Sequence, residues 1–249
     1  MTKPIHLPNA ETLLEVCEAT WPPVSTTRLG AWTIREGGGG GKRVSAATED
    51  WPVTDADLPT AEAAMRDLGQ VPLFQIRADE EKLDSLLDAH GYSVIDPVNL
   101  WAAPVSLLTT RDLPQNSVEA IWPPQAYLSE IWQEGGIGTE RQAVMARAKV
   151  AKTSIVARLG GHAAGVAFVG MHEGVAMVHA LHVAENHRRR GAARMLMQAA
   201  ANWAADQGAE VISLIVTQGN HAANPLYASL GMNMIGHYHY RILPDQAQK

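Results

Sequence analysis

The chain has 249 residues, 46% of them apolar and 18% charged, so it can bury a sizeable core and is too apolar to remain disordered. Its single cysteine, Cys17, excludes an internal disulfide framework and any cysteine-based zinc cluster, and no apolar run approaches the roughly 18 residues of a membrane helix. The net charge of −6 argues against wholesale nucleic-acid binding, and Glu11, Glu15 and Glu18 stand where a leader peptide would be basic and then apolar, so a soluble, cytoplasmic protein is expected.

An amphipathic stretch over residues 13–19 is followed by a turn at Trp21-Pro22-Pro23. Two β-like runs, 31–35 and 42–47, flank five glycines, Gly37 to Gly41, which reads as a hairpin with a flexible loop. A phosphate-binding P-loop is disfavoured there, because Glu36 stands where the first glycine belongs and Arg43 follows Lys42. Residues 61–68 read as a helix, 71–76 as a strand, 80–89 as a helix closed by His90-Gly91, and 92–105 as a strand and exit.

Past residue 105 the charge balance changes. Residues 1–105 carry 8 basic and 16 acidic side chains, residues 106–249 carry 12 and 10, and four of those 12 are Arg188, Arg189, Arg190 and Arg194. Helices are predicted over 124–132 and 140–149, joined by Gly135, Gly136 and Gly138. Runs 153–158, 163–171 and 175–183 form an antiparallel meander. A helix over 192–207, a buried strand over 211–216, a helix over 222–230 and a last strand over 232–242 complete a mixed α/β (α+β) chain. Trp21-Pro22-Pro23 is echoed by Trp122-Pro123-Pro124, and residues 86–92 line up with 226–232, which suggests two related domains, 1–105 and 106–249.

The helix over 192–207 begins with a conflict. Its orphan amides and aligned dipoles make its N-terminus positive, yet Arg188, Arg189 and Arg190 come immediately before it. A bound anion removes the conflict: the small residues Gly191, Ala192 and Ala193 let backbone amides approach it, and Arg194 adds a further guanidinium. An exposed basic turn reaching into water is the plain alternative. The preceding strand is apolar on both faces and therefore central, but it carries His179 and His182, three apart and so expected on opposite faces. Farther on, Asn220 suits a cap and Tyr227 can offer a phenolic proton; core histidine and core tyrosine are the default roles to set against these. His237 and His239 share a strand face without a third ligand near in sequence, so no metal is expected.

Together, Arg188-Arg189-Arg190-Gly191-Ala192-Ala193 and the Asn220 to Tyr227 segment resemble the Arg/Gln-x-x-Gly-x-Gly/Ala and Asn-x-x-Ala-x-x-Leu-Tyr motifs of the GNAT superfamily of N-acetyltransferases, over about residues 115–242. The resemblance implies a GNAT fold, a central mixed, mostly antiparallel sheet flanked by helices. It implies acetyl-CoA as co-substrate, its pyrophosphate on the loop amides and its pantetheine arm paired with the backbone of Leu181, His182 and Val183. A backbone amide there would hold the developing oxyanion, a primary amine would attack directly, and Tyr227 would protonate the CoA thiolate.

Family members with a glutamate base on this strand carry it at the position of Met177; His179 matches a position where some small-amine acetyltransferases carry histidine, which makes it the expected base or water relay. Residues 1–105 look like a degenerate GNAT-like domain, with no pyrophosphate motif and Leu87 in the place of Tyr227. Tyr127, Glu130, Trp132 and Glu134 lie where the family builds its acceptor wall. The acceptor is a small-molecule or peptide amine, with no nucleic-acid or membrane partner, and the protein a monomer or homodimer. The rival readings are a non-catalytic acyl-CoA-binding sensor and a transferase using another acyl-CoA.

Overall fold

The computed structural model describes residues 5–244. In chain order the elements are α1 (Ala10–Thr20), β1 (Ser25–Leu29), β2 (Trp32–Glu36), β3 (Thr48–Glu49), α2 (Leu58–Asp67), β4 (Leu73–Arg77), α3 (Glu81–Ala89), β5 (Ser93–Pro104), α4 (Val105–Leu108), β6 (Val118–Ile121), α5 (Ala126–Glu134), α6 (Thr139–Arg147), β7 (Ala151–Leu159), β8 (His162–His172), β9 (Val175–Val183), α7 (Ala192–Asp206), β10 (Val211–Thr217), α8 (Ala223–Ser229) and β11 (Asn233–Ile242). Short 3-10 turns occupy Lys42–Val44 and Glu185–His187.

The chain divides into two units that are not consecutive stretches. One contains the chain up to Pro22, Leu100–Val216 and Asn220–Ile235; the other contains Pro23–Asn99, Thr217–Gly219 and the chain from Gly236 onward.

The first unit is built on a mixed sheet in the order β6-β7-β8-β9-β10. Its first four strands are antiparallel neighbours, and β9 pairs with β10 in parallel, Val175 to Val211 through Val178 to Leu214. Both faces are covered, which is why β8 and β9 are apolar on both sides. On one face Ala167, Val169, Ala176 and Val178 pack with Leu196, Met197 and Ala200 of α7. On the other lies α1, whose stripe of Leu13, Val16, Cys17 and Thr20 follows helical spacing and whose Asn9 cap accepts from the Thr12 amide at 2.9 Å. The helix sits so close that a Cβ at Gly170 would come 2.8 Å from Thr20 Cβ.

The second unit has a small antiparallel sheet, β1-β2-β3, and β4 paired antiparallel with β11. Trp32, Met65, Phe74, Leu83 and Leu87 form its core. The hairpin expected across the glycine run is absent among the described residues: β1 and β2 join through Gly30 and Ala31, and Lys42–Val44 is a 3-10 turn instead of a strand. The run is also pinned. Gln70 accepts from the Gly37 amide at 2.6 Å and donates to the Arg35 carbonyl at 2.8 Å, while Gly38, Gly39 and Gly41 take positive φ to turn the chain away. Periodicity identified apolar residues after the run but could not register that side-chain clamp.

A buried carboxyl sits at the start of α3. Glu80 is 8% exposed, accepts from the Arg77 amide at 2.7 Å, and burial pushes its carboxyl up to about 7. Because the unfolded chain titrates near 4.5, the folded state holds the proton more tightly, and the stability from this group is full at acid pH and lost as pH rises through about 7. Glu80→Gln should therefore raise stability at pH 8 by about 2 kcal/mol and change little at pH 4; urea melts at both values decide it, and an equal effect at the two would refute the assignment.

Candidate functional site

Strand β9 leaves its ladder at Ala180. The residue has φ +49, and the register against β8 slips between Val166 and Phe168, so that Phe168 faces His179 while Val166 faces His182. This is a bulge, one extra residue on β9, and three features accompany it. The parallel pairing with β10 has already ended at Val178 and Leu214, so the two strands part beyond it. The Ala180 carbonyl is taken by the indole Nε1–H of Trp132 at 2.8 Å, from a fully buried side chain of α5. On β8, Gly165 has no room for a side chain, since a Cβ would lie 2.7 Å from the His182 carbonyl oxygen.

The parted strand opens on a cavity of about 700 Å³. Leu181 and Val183 line one wall, and Arg188, Arg189 and Gly191 the loop that follows. Gly191 caps α7 with φ +87 and no side-chain hydrogen bond, so the first amides of α7 are left for a ligand, with Ala192 and Ala193 beside them in the wall. Arg194 also lines the cavity and donates to Ser229 Oγ at 2.9 Å. Arg188 Nε donates to the Val183 carbonyl at 3.4 Å, bringing its charge to the end of the strand. Arg190 lies outside the lining and meets His187 Nδ1 at 3.3 Å.

The far wall comes from the segment before and along α8. Asn220 Oδ1 accepts from the Ala223 amide at 3.0 Å, the turn role its sequence position suggests, and also lines the cavity. Tyr227 is 5% exposed, lies against Trp101 at 6.5 Å between ring centres, and reaches the cavity; burial pushes its phenol up to about 12. Sequence reasoning missed Pro225, Leu226 and Ser229 in the wall. Ser229 lies two residues beyond Tyr227, and only the fold turns it toward Arg194.

The histidines depart from expectation. With the extra residue at Ala180, the partners of His179 and His182 are Phe168 and Val166, which are two apart on β8 and share a face, so the two histidines share a face as well. His179 is outside the cavity lining and 3% exposed, stacked 5.1 Å from Trp21 with its Nε2 2.8 Å from Thr20 Oγ1. Thr20 donates to the Val16 carbonyl at 2.7 Å, which leaves its lone pairs toward that nitrogen. The Nε2 of His179 thus meets α1, a helix far away in sequence, and not the cavity. His182 is half-buried and also outside the lining; burial, helped by Arg188, holds its imidazole below the usual histidine value, while Glu134 pulls the other way. Of the expected acceptor wall, Trp132 is core and Tyr127 accepts from Arg158 at 2.7 Å, whereas Glu130 and Glu134 are exposed.

Residues 112–232 match the Acetyltransferase (GNAT) family. An uncharacterized N-acetyltransferase of Bacillus subtilis strain 168, YobR, is 27% identical over 234 residues, 90% of this chain and 94% of its own length. The fold is similar to that of a GCN5-related N-acetyltransferase from Kribbella flavida, with a TM-score of 0.67, 18% identity and coverage of 94% and 95% of the two chains. A tandem GNAT protein from the clavulanic acid biosynthesis pathway is similar at a TM-score of 0.60 and 15% identity, over 89% of this chain and 84% of its own.

Trp132→Phe keeps an aromatic ring but strands the Ala180 carbonyl. A loss of about 1–3 kcal/mol in chemical denaturation, with faster amide exchange at Leu181 and His182, is the expected result; unchanged stability would show that the indole does not hold the bulge.

Proposed function

We propose, from the match of residues 112–232 to the Acetyltransferase (GNAT) family, whose members transfer an acyl group to an amine, that this protein moves an acetyl group from acetyl-CoA to a primary amine by direct attack. One observation carries the reading. A strand end released from its ladder, the uncapped N-terminus of α7 with its guanidinium groups, and the buried Tyr227 phenol converge on one cavity.

In this reading the amides of Ala192, Ala193 and Arg194 and the side chains of Arg188 and Arg189 hold the diphosphate, which cancels the like-charge conflict at the helix mouth. The backbone of Leu181 to Val183, free of β10, pairs with the pantetheine arm, and an amide beside the bulge steadies the oxyanion. The amine nitrogen forms the new C–N bond as the C–S bond breaks. Tyr227 then meets the departing sulfur. A phenol near 12 is protonated at neutral pH, and the same dry surroundings raise the proton affinity of a thiolate whose ordinary value is about 8.5.

Catalysis belongs, on this proposal, to the unit that joins α1 to Leu100–Val216 and Asn220–Ile235, a larger set of residues than 106–249. The stretch 1–105 otherwise supplies a degenerate GNAT-like partner, with Leu87 buried in its core. The acceptor is a small-molecule or peptide amine and the compartment the cytoplasm; among the described residues no helix is long and apolar enough to cross a membrane. A non-catalytic acyl-CoA sensor would have no use for a phenol in the cavity wall.

Calorimetric titration with acetyl-CoA should give one site per chain, and two equivalent sites would contradict the degenerate role of the N-terminal half. Tyr227→Phe should lower turnover about 10²-fold in a thiol-release assay while acetyl-CoA binding persists; full activity would remove Tyr227 as the proton donor.

A further inference from the structure

The bulge gives β9 two different faces at its end. Leu181 and Val183 point with α7 toward the cavity, and His182 between them points the opposite way. Its ring lies on Gly135, the residue that closes α5: a Cβ built there would run into Nδ1, Cγ and Cε1 of the imidazole. The ring therefore lies face-on against the end of α5, with both nitrogens at the rim of that contact. Among the described residues the ring has no hydrogen-bond partner, unlike His179 under Thr20. The charged groups that act on it are Glu134, from the end of α5, and Arg188, from the loop before α7; its β8 partner, Val166, carries no charge.

An amine attacking a thioester laid along Leu181 to Val183 must arrive from the side that the co-substrate does not fill, which is the side His182 occupies. Resting on the acetyl-transfer reading above, we propose that His182, seated in the space left by Gly135, is the group that takes the proton from the attacking amine. The ammonium proton passes to a ring nitrogen of His182, the freed nitrogen lone pair forms the C–N bond, the C–S bond breaks and the sulfur receives the Tyr227 proton, and the second N–H proton of the new amide nitrogen is lost through water to the Tyr227 phenolate. Afterwards His182 releases its proton to water. The lowered proton affinity of the half-buried ring keeps it neutral at pH 7, as a base must be. Glu134 faces the same ring and favours a cationic acceptor.

The test uses the full chain, acetyl-CoA and three probe amines: spermidine, kanamycin and a tripeptide with a free N-terminus. With an amine that the parent protein acetylates, kcat/KM should fall on the acid side along a limb below the ordinary histidine value of about 6.5. His182→Gln should lower kcat/KM about 10²-fold at pH 7 and replace that limb by a rise toward the amine's own pKa, with the acetyl-CoA Kd within about twofold. Glu134→Gln should shift the limb of the parent to lower pH, because a charge that raises the imidazole has been removed. Gly135→Ala, which leaves the backbone unstrained but displaces the ring, should reduce kcat about tenfold or more with acetyl-CoA binding retained. An unchanged limb in His182→Gln overturns the role of His182 while leaving acetyl transfer intact. Release of CoA with none of the three amines, or no acetyl-CoA binding, overturns the transfer reading itself and His182 with it.

Discussion

The site depends on one backbone irregularity, the left-handed conformation of Ala180. A non-glycine residue at positive φ costs on the order of 1 kcal/mol or more, so something must hold it. Here the turned-out carbonyl is met by the Trp132 indole, and Gly165 across the ladder leaves room for the displaced strand. With the bulge in place, β9 can be an ordinary core strand through Val178 and an open edge from Leu181 onward. A regular strand would stay paired with β10 and close the cavity wall.

The same residue separates what the sequence disclosed from what it hid. The limits of β9, Val175 and Val183, are readable from its apolar run and the flanking turn signals, and the loop and α7 follow from glycine and helical spacing. Leu181, Val183, Gly191 and Tyr227 do meet around one cavity. Strict alternation fails at Ala180, because an alanine in a strand gives no warning of positive φ, and every face assignment after it inverts. That inversion turns His182 to the face of His179. Likewise the stripe on α1 is visible in the sequence, but its target is not: Thr20 meets His179 across 159 positions.

Charge placement around α7 shows how a fold can tolerate a local conflict without abolishing it. Arg194 is tied to Ser229, Arg188 reaches back to the Val183 carbonyl and Glu185, and Arg190 meets His187. These contacts disperse the guanidinium groups around the helix mouth while its first amides stay uncapped by any side chain. Such an arrangement is electrostatically incomplete on its own, and it is most stable with negative charge between the arginines. In the second unit the opposite strategy is used, with Asp84 and Asp88 gathered on Arg241 so that the charges satisfy one another.

The covering of β8 and β9 by α1 has a bearing on how the protein is made. At a ribosomal pace of roughly 5–20 residues per second, Thr20 leaves the tunnel about 10–30 s before His179 does. Through that interval the helix has no strand to lie on, and Leu13, Val16 and Cys17 remain open to solvent or to a chaperone. A helix made well before its strands is thus buried late, and nascent chains stalled between these two points would present a greasy, thiol-bearing helix to the cell.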